Sequence, residues 1–175
     1  MTRSKTKAMV IASLIAAFYT ALTLALAPIS YGPVQMRLSE ALTILPAYSP
    51  TGIVGVTLGC AVANLVGFLT GANILGALDI LFGTLATLVA AMLSWLLRRV
   101  RFRGLPILAP LPPVLINAAV IGAELYVVMG AGKNLAVFWT QALLVGLGQL
   151  VPCYLLGLLL FYTLSRTGLD KKLFD

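Results

Sequence analysis

Five carboxylates are all the acid in this chain of 175 residues, and three of them fall inside or against long apolar runs. These three are Glu40, Asp79 and Glu124; Asp170 and Asp175 belong to the tail. A carboxylate in a bilayer costs several kcal/mol unless it faces a bundle interior, a cavity or a partner. Three of them on three different segments therefore predict a polar pocket. Amides and rings recur in the same runs: Asn64, Asn117, Gln141, Gln149, Tyr126 and Trp139. Asn and Gln can read donors and acceptors of a ligand or bond helix to helix. Tyr126 and Trp139 can touch a ligand or sit in the aromatic belt at a membrane interface. Hydrolysis by paired carboxylates lacks support, because no nucleophile stands beside them and the chain has no histidine.

The elements that must position these residues are membrane helices. The chain is 61% hydrophobic and 10% charged, with a mean hydropathy of +1.04, whereas soluble domains carry about 25% charged residues. A crossing helix needs about 20 mostly apolar residues. Residues 8–27, 51–69, 76–97, 106–129 and 135–164 qualify, the fifth run with Pro110, Pro112 and Pro113 in its first turns and the last with Pro152 as an expected kink. Residues 38–48 are apolar after Glu40 but would span only roughly 16 Å as an α-helix.

Charge decides that segment. Ten of the twelve basic residues form three clusters: Arg3, Lys5 and Lys7; Arg98, Arg99, Arg101 and Arg103; Arg166, Lys171 and Lys172. The positive-inside rule places all three in the cytoplasm, which requires four crossings before the arginine loop and two after it. Residues 38–48 must then cross too. The expected fold is an all-α integral membrane protein, one domain over residues 1–175, a six-transmembrane-helix bundle with both termini cytoplasmic. Ala25-Leu26-Ala27 imitates a signal-peptidase site, but the run is too long for a signal core and Pro28 follows the cut, so the first helix is expected to stay.

This topology sorts the polar residues by depth. Glu40 and Asp79 lie at the outer starts of the second and fourth helices. Glu124, 18 residues into the fifth run, lies roughly 27 Å from its cytoplasmic start. Asn64, Tyr126, Trp139 and Gln141 share that outer depth, and Asn117 and Gln149 lie near the midplane. The ordinary structural alternative pairs Glu40 with Arg37 and uses Asp79 as a helix cap. The first helix carries small residues four apart, Ala8, Ala12 and Ala16, then Ala17, Ala21 and Ala25. Such stripes let helices approach closely, either within the bundle or against another membrane subunit.

Absences narrow the function. No phosphate-binding G-x-x-x-x-G-K-[ST], H-E-x-x-H or G-x-S-x-G occurs. Cys60 and Cys153 have no metal-ligand spacing, no cofactor is expected, and the sparse charges, set at segment ends, do not suit nucleic acid. No inverted repeat of the kind used by alternating-access carriers is visible. An outward pocket without an engine predicts a binding subunit that borrows energy from a partner.

Residues 27–42, Ala-Pro-Ile-Ser-Tyr-Gly-Pro-Val-Gln-Met-Arg-Leu-Ser-Glu-Ala-Leu, resemble the signature of the QueT family, substrate-binding S components of energy-coupling factor (ECF) transporters. Residues 59–64, 79–87, 109–117 and 122–126 resemble that family's further blocks in the same order. The resemblance implies a six-helix S component in a bacterial cell membrane that captures a micronutrient outside. It would hand this on within a complex of the EcfT scaffold and two cytoplasmic ATPases, and would not itself be an enzyme. Ala12, Ala16, Ala17 and Ala21 match the stripe that docks on EcfT. The implied ligand is a queuosine precursor, chiefly 7-aminomethyl-7-deazaguanine, with an ammonium and a guanine-like edge. Glu40, Asp79 and Glu124 are then candidates for the ammonium and the ring N–H groups. Asn64, Asn117 and Gln149 would read the remaining edges, with Arg37, Tyr126 and Trp139 completing the pocket. Family members often carry Gly-Glu where this chain has Gly148-Gln149, which leaves cobalamin, with its amide fringe, as the alternative cargo. A stand-alone secondary carrier is the alternative of another class; it predicts uptake without an ATPase.

Overall fold

The computed structural model describes residues 3–32, 35–130 and 134–174, with side chains from residue 5 onwards. Pro33 and Val34 of the signature block, and the side chain of Arg3 in the first basic cluster, lie outside the described residues. The helices are α1 (Arg3–Ala25), α2 (Ala27–Ser30), α3 (Pro50–Leu69), α4 (Ala77–Leu97), α5 (Leu111–Val128), α6 (Leu135–Leu150), α7 (Gly157–Thr167) and α8 (Leu169–Phe174). A 3₁₀ helix covers Leu38–Ala47, and one π-helical stretch, Val151–Leu156, joins α6 to α7. Among the described residues, five stretches are long and apolar enough to cross a membrane: Lys5–Ala25, Pro50–Leu69, Ala77–Leu97, Leu111–Val128 and the continuous Leu135–Thr167. Among the described residues there is no strand, only the isolated bridge between Phe102 and Leu105.

Local chemistry sets the helix ends. The Ser49 hydroxyl accepts from the Thr51 amide at 3.3 Å, with Pro50 in the first turn of α3, and the Asn134 side chain accepts from the Ala136 amide at 3.1 Å to cap α6. α5 begins at Leu111 rather than at 106, because Pro110, Pro112 and Pro113 lack amides and fit a helix only at its start. Pro152 falls in the π-helical stretch, where the hydrogen-bond ladder is already opened.

Large apolar side chains face outward: Leu69, Leu96 and Leu135 are 72%, 66% and 66% exposed. Glu40, Asn64 and Asp79 are inside and almost inaccessible. This inverts the soluble pattern and suits hydrocarbon as the outer solvent. α1 packs on α3, α3 on α4, α4 on α5 and α5 on α6, while the 3₁₀ helix lies among them, touching α1, α3, α4, α7 and the π-helical stretch.

Residues 38–47 form an inner strut between the two ends of the bundle. At about 2 Å rise per residue, ten residues of 3₁₀ helix reach ~20 Å. At one end Arg37 meets Asp79 at 3.2 Å. At the other the Tyr48 ring stacks on Phe161 and Phe174, at 4.3 and 5.4 Å, and its hydroxyl donates to the Phe161 carbonyl at 2.7 Å. Ser39, Glu40 and residues 43–47 are buried, so the 3₁₀ backbone is covered mostly by protein.

The basic clusters gather at the Tyr48 end. Arg101 lies 5.6 Å over the Phe161 ring, Arg103 and Arg166 line one niche with Ser165, and Lys7 and Lys172 border a common groove.

Candidate binding site

At the opposite end from the basic clusters, Asp79 stands in the first turn of α4, wholly buried. Its Oδ2 accepts from Arg37 Nη2 at 3.2 Å and from Asn73 Nδ2 at 2.7 Å. Asn64 on α3 donates to the Asp79 backbone carbonyl at 2.7 Å. A Cβ built on Gly83, one turn along α4, would lie 1.8 Å from Asp79 Oδ1. The carboxylate therefore folds back over its own helix into space that only glycine leaves. Arg37 is held by a second group of contacts: Nη1 reaches Cys60 Sγ at 3.6 Å, and the Tyr31 ring lies 5.3 Å from the guanidinium. Tyr31 is fixed by donating to the Ala63 carbonyl at 2.6 Å. Cys60 Sγ also accepts from Thr87 at 3.2 Å and from Asn64 at 3.5 Å.

The ordinary structural alternative for these acids does not describe this arrangement. Arg37 pairs with Asp79 rather than with Glu40, because it stands in extended backbone just before the 3₁₀ helix and off the face that three-residue pairing needs. Asp79 is not the cap of α4; Gly76, at φ 65°, occupies that position.

Glu40 is buried in the 3₁₀ helix and accepts a short hydrogen bond from the Tyr19 hydroxyl of α1. Asn117 of α5 stands beside the same carboxyl. Gln149 is engaged elsewhere: its Nε2 donates to the Gln35 carbonyl at 3.1 Å, and its Oε1 accepts from Cys153 at 3.6 Å.

Glu124 differs from both other acids. It is 5% exposed, and neither carboxyl oxygen has a hydrogen-bond partner among the described residues. Its stem borders a groove of about 500 Å³ between α4 and α5, with Leu78, Phe82, Ala119 and Ala123. Arg37 and Asp79 lie within its electrostatic reach. Other buried atoms also lack partners: Glu40 Oε2, Asp79 Oδ1, Asn64 Oδ1, Gln141 Oε1, the hydroxyls of Ser30, Thr57 and Thr84 and, as the lone nitrogen, Gln35 Nε2. Acceptors outnumber donors, and buried unpaired polar atoms are rare enough to point to a function.

Arg37, Glu40, Asn64, Asp79, Asn117, Glu124 and Gln149 are thus all buried within the bundle. Trp139 is not: it is 68% exposed, edge-on to Phe138 at 5.0 Å. The inward face of α6 carries Gln141, Ala142, Val145, Gly148 and Gln149; two residues before Gln141, Trp139 points about 200° away. Tyr126 stands in the same relation to Glu124, is half-buried, and packs edge-on to Phe138 at 6.3 Å. Ala12 is buried and Ala16 half-buried in the α1–α3 seam, their carbonyls 3.1 and 3.0 Å from Cβ positions on Gly55 and Gly59. Ala12 is therefore spent on internal packing, whereas Ala17 and Ala21 face outward. Tyr19, Tyr31, Gln35, Cys60, Asn73 and Thr87 join the cluster without having been expected there. Asn73 sits in a loop with no periodicity to place it, and the rings and thiol read as ordinary apolar filling.

Residues 9–166 match the QueT transporter family. A curated relative, the queuosine precursor transporter QueT of Lactococcus lactis subsp. cremoris (strain MG1363), is 37% identical over 99 residues. That stretch covers 55% of this chain and 54% of the relative, so about half of the relative's length is spanned. No solved structure matches. With a family match over most of its length and five apolar helices long enough to cross a bilayer, this chain is a multi-pass membrane protein that belongs to the QueT transporter family.

Proposed function

We propose that the chain is the substrate-binding S component of an ECF importer and that its cargo is a queuosine precursor such as 7-aminomethyl-7-deazaguanine. The observation that carries this reading is the imbalance of the buried cluster. Three buried carboxyls, Glu40, Asp79 and Glu124, stand with one guanidinium, Arg37, which pairs with Asp79 alone, and most of the unpaired buried atoms are acceptors. A ligand that brings an ammonium and a donor-rich ring edge supplies what the protein lacks. Gln149, tied to Gln35 and Cys153, sits in a structural role, so its replacement of a family glutamate does not argue against a cationic cargo. Cobalamin suits the site less, since side chains close the interior around Arg37 and Asp79 at hydrogen-bond distance.

Six crossings with both termini cytoplasmic are part of this proposal. They are supported by the 3₁₀ helix, which runs from the Asp79 end to the Tyr48 end, and by the basic clusters at the latter. Energy would come from the EcfT scaffold and two ATPases, with the outward Ala17 and Ala21 as the remaining part of the docking face. Titration calorimetry of the purified chain with 7-aminomethyl-7-deazaguanine and with cobalamin tests the cargo: heat with the first alone supports the reading, and heat with cobalamin alone replaces it. Co-purification with EcfT and the ATPases tests the assembly; uptake by the chain alone would instead make it a secondary carrier.

A further inference from the structure

The three buried carboxylates are not equivalent, and their difference divides the labour of binding. Asp79 already holds a cation and an amide: Arg37 at 3.2 Å and Asn73 at 2.7 Å, both on Oδ2. Glu40 takes the Tyr19 hydroxyl on Oε1 and is faced by Asn117, with Oε2 unpaired. Among the described residues, Glu124 has no hydrogen bond on either oxygen and no lysine or arginine reaches it within 4.0 Å.

We propose that Glu124 is the residue that selects a cationic ligand, by receiving a primary ammonium between its two unpartnered oxygens. The inference rests on the binding role proposed above and deepens it. A buried carboxyl without a partner is costly to ionise, and with Arg37 engaged by Asp79 the counter-charge that favours its ionised form is one that a ligand can bring. A primary ammonium on a short arm presents three donors in a small volume and so can serve both oxygens without displacing the helices. The Glu124 stem borders open space lined by Ala119 and Ala123 on α5 and by Leu78 and Phe82 on α4, rather than tightly packed side chains. The flat remainder of the ligand is left to Asn64 Oδ1, Asp79 Oδ1 and Gln141 Oε1, acceptors for ring N–H and amino groups. Affinity for the ring and selection for charge are thereby set by different residues.

The test compares 7-aminomethyl-7-deazaguanine with its neutral 7-hydroxymethyl counterpart on the wild-type chain and on Glu124→Gln in detergent. The wild type is expected to prefer the amine by on the order of 10–100-fold, the worth of a charge-assisted bond. Glu124→Gln should bring that ratio to about one while keeping the neutral ligand within a few-fold, which also shows that the variant is folded. A Glu124→Gln protein that retains the preference overturns the proposal, as does a wild type that binds both ligands equally; in both cases the cargo reading survives. If Glu124→Gln binds neither, Glu124→Asp must keep the preference, and its loss there overturns the proposal. A wild type that binds neither ligand instead overturns the cargo reading, and this inference with it.

Discussion

Arg37 and Asp79, forty-two residues apart in the chain, meet at 3.2 Å with both side chains almost wholly buried. The pair joins the start of the 3₁₀ helix to the start of α4, and Tyr31, Asn73 and Cys60 hold it in place. Removing one partner of such a pair leaves a bare charge in a dry interior. Arg37→Met is expected to destabilise the folded protein by about 3–5 kcal/mol, and adding Asp79→Asn should restore part of that loss. Thermal unfolding of the single and double variants in detergent checks the coupling; purely additive losses would mean that the pair does not act as a unit.

Gly83 keeps the Asp79 carboxylate in its place. A methyl group at position 83 would stand 1.8 Å from Oδ1 and 3.0 Å from Asn64 Nδ2. Gly83→Ala is therefore expected to cost about 1–3 kcal/mol of stability and to weaken ligand binding by displacing the carboxylate. Gly157→Ala, whose Cβ would meet nothing closer than 3.5 Å, should be tolerated. Melting temperatures and titrations of the two variants provide the comparison.

Tyr19 contributes a hydroxyl to Glu40 from inside α1. Tyr19→Phe leaves that oxygen without its donor, and a loss of about 1–3 kcal/mol follows. A melt unchanged by the substitution would mean that Asn117 or water replaces the donor at no cost.

The two alanine stripes of α1 should now separate. Ala12→Leu enlarges a buried seam position next to Gly55 and is expected to destabilise the chain by about 1–3 kcal/mol. Ala17→Leu and Ala21→Leu enlarge outward positions, so stability and ligand binding should persist while co-purification with the EcfT scaffold falls. Assembly that survives both would move the docking face to another helix.

A reporter fused after Arg103 is expected to read cytoplasmic, as are reporters at either terminus, because the three basic clusters gather at one end of the bundle. An external signal after Arg103 would exclude the six-crossing arrangement.

The long apolar runs and the basic clusters could be read directly, because hydropathy and charge are local properties that the bilayer sorts by depth. The same reasoning singled out Glu40, Asp79, Glu124, Asn64, Asn117 and Gln149, since a polar group in such a run must be turned inward wherever its helix lies. Partner choice is not local. Arg37 has Glu40 three residues away and Asp79 forty-two away, and only the packing of the 3₁₀ helix against α4, with the gap left by Gly83, brings the distant acid into contact. The facing of Trp139 and Ala12 depends on how each helix is rotated against its neighbours, which type and spacing leave open when most residues on every side are apolar. The short segment 38–47 follows the same logic: its sequence shows an apolar stretch too short for an α-helical crossing, and only its packing against α1, α3, α4 and α7 shows the longer-reaching 3₁₀ form.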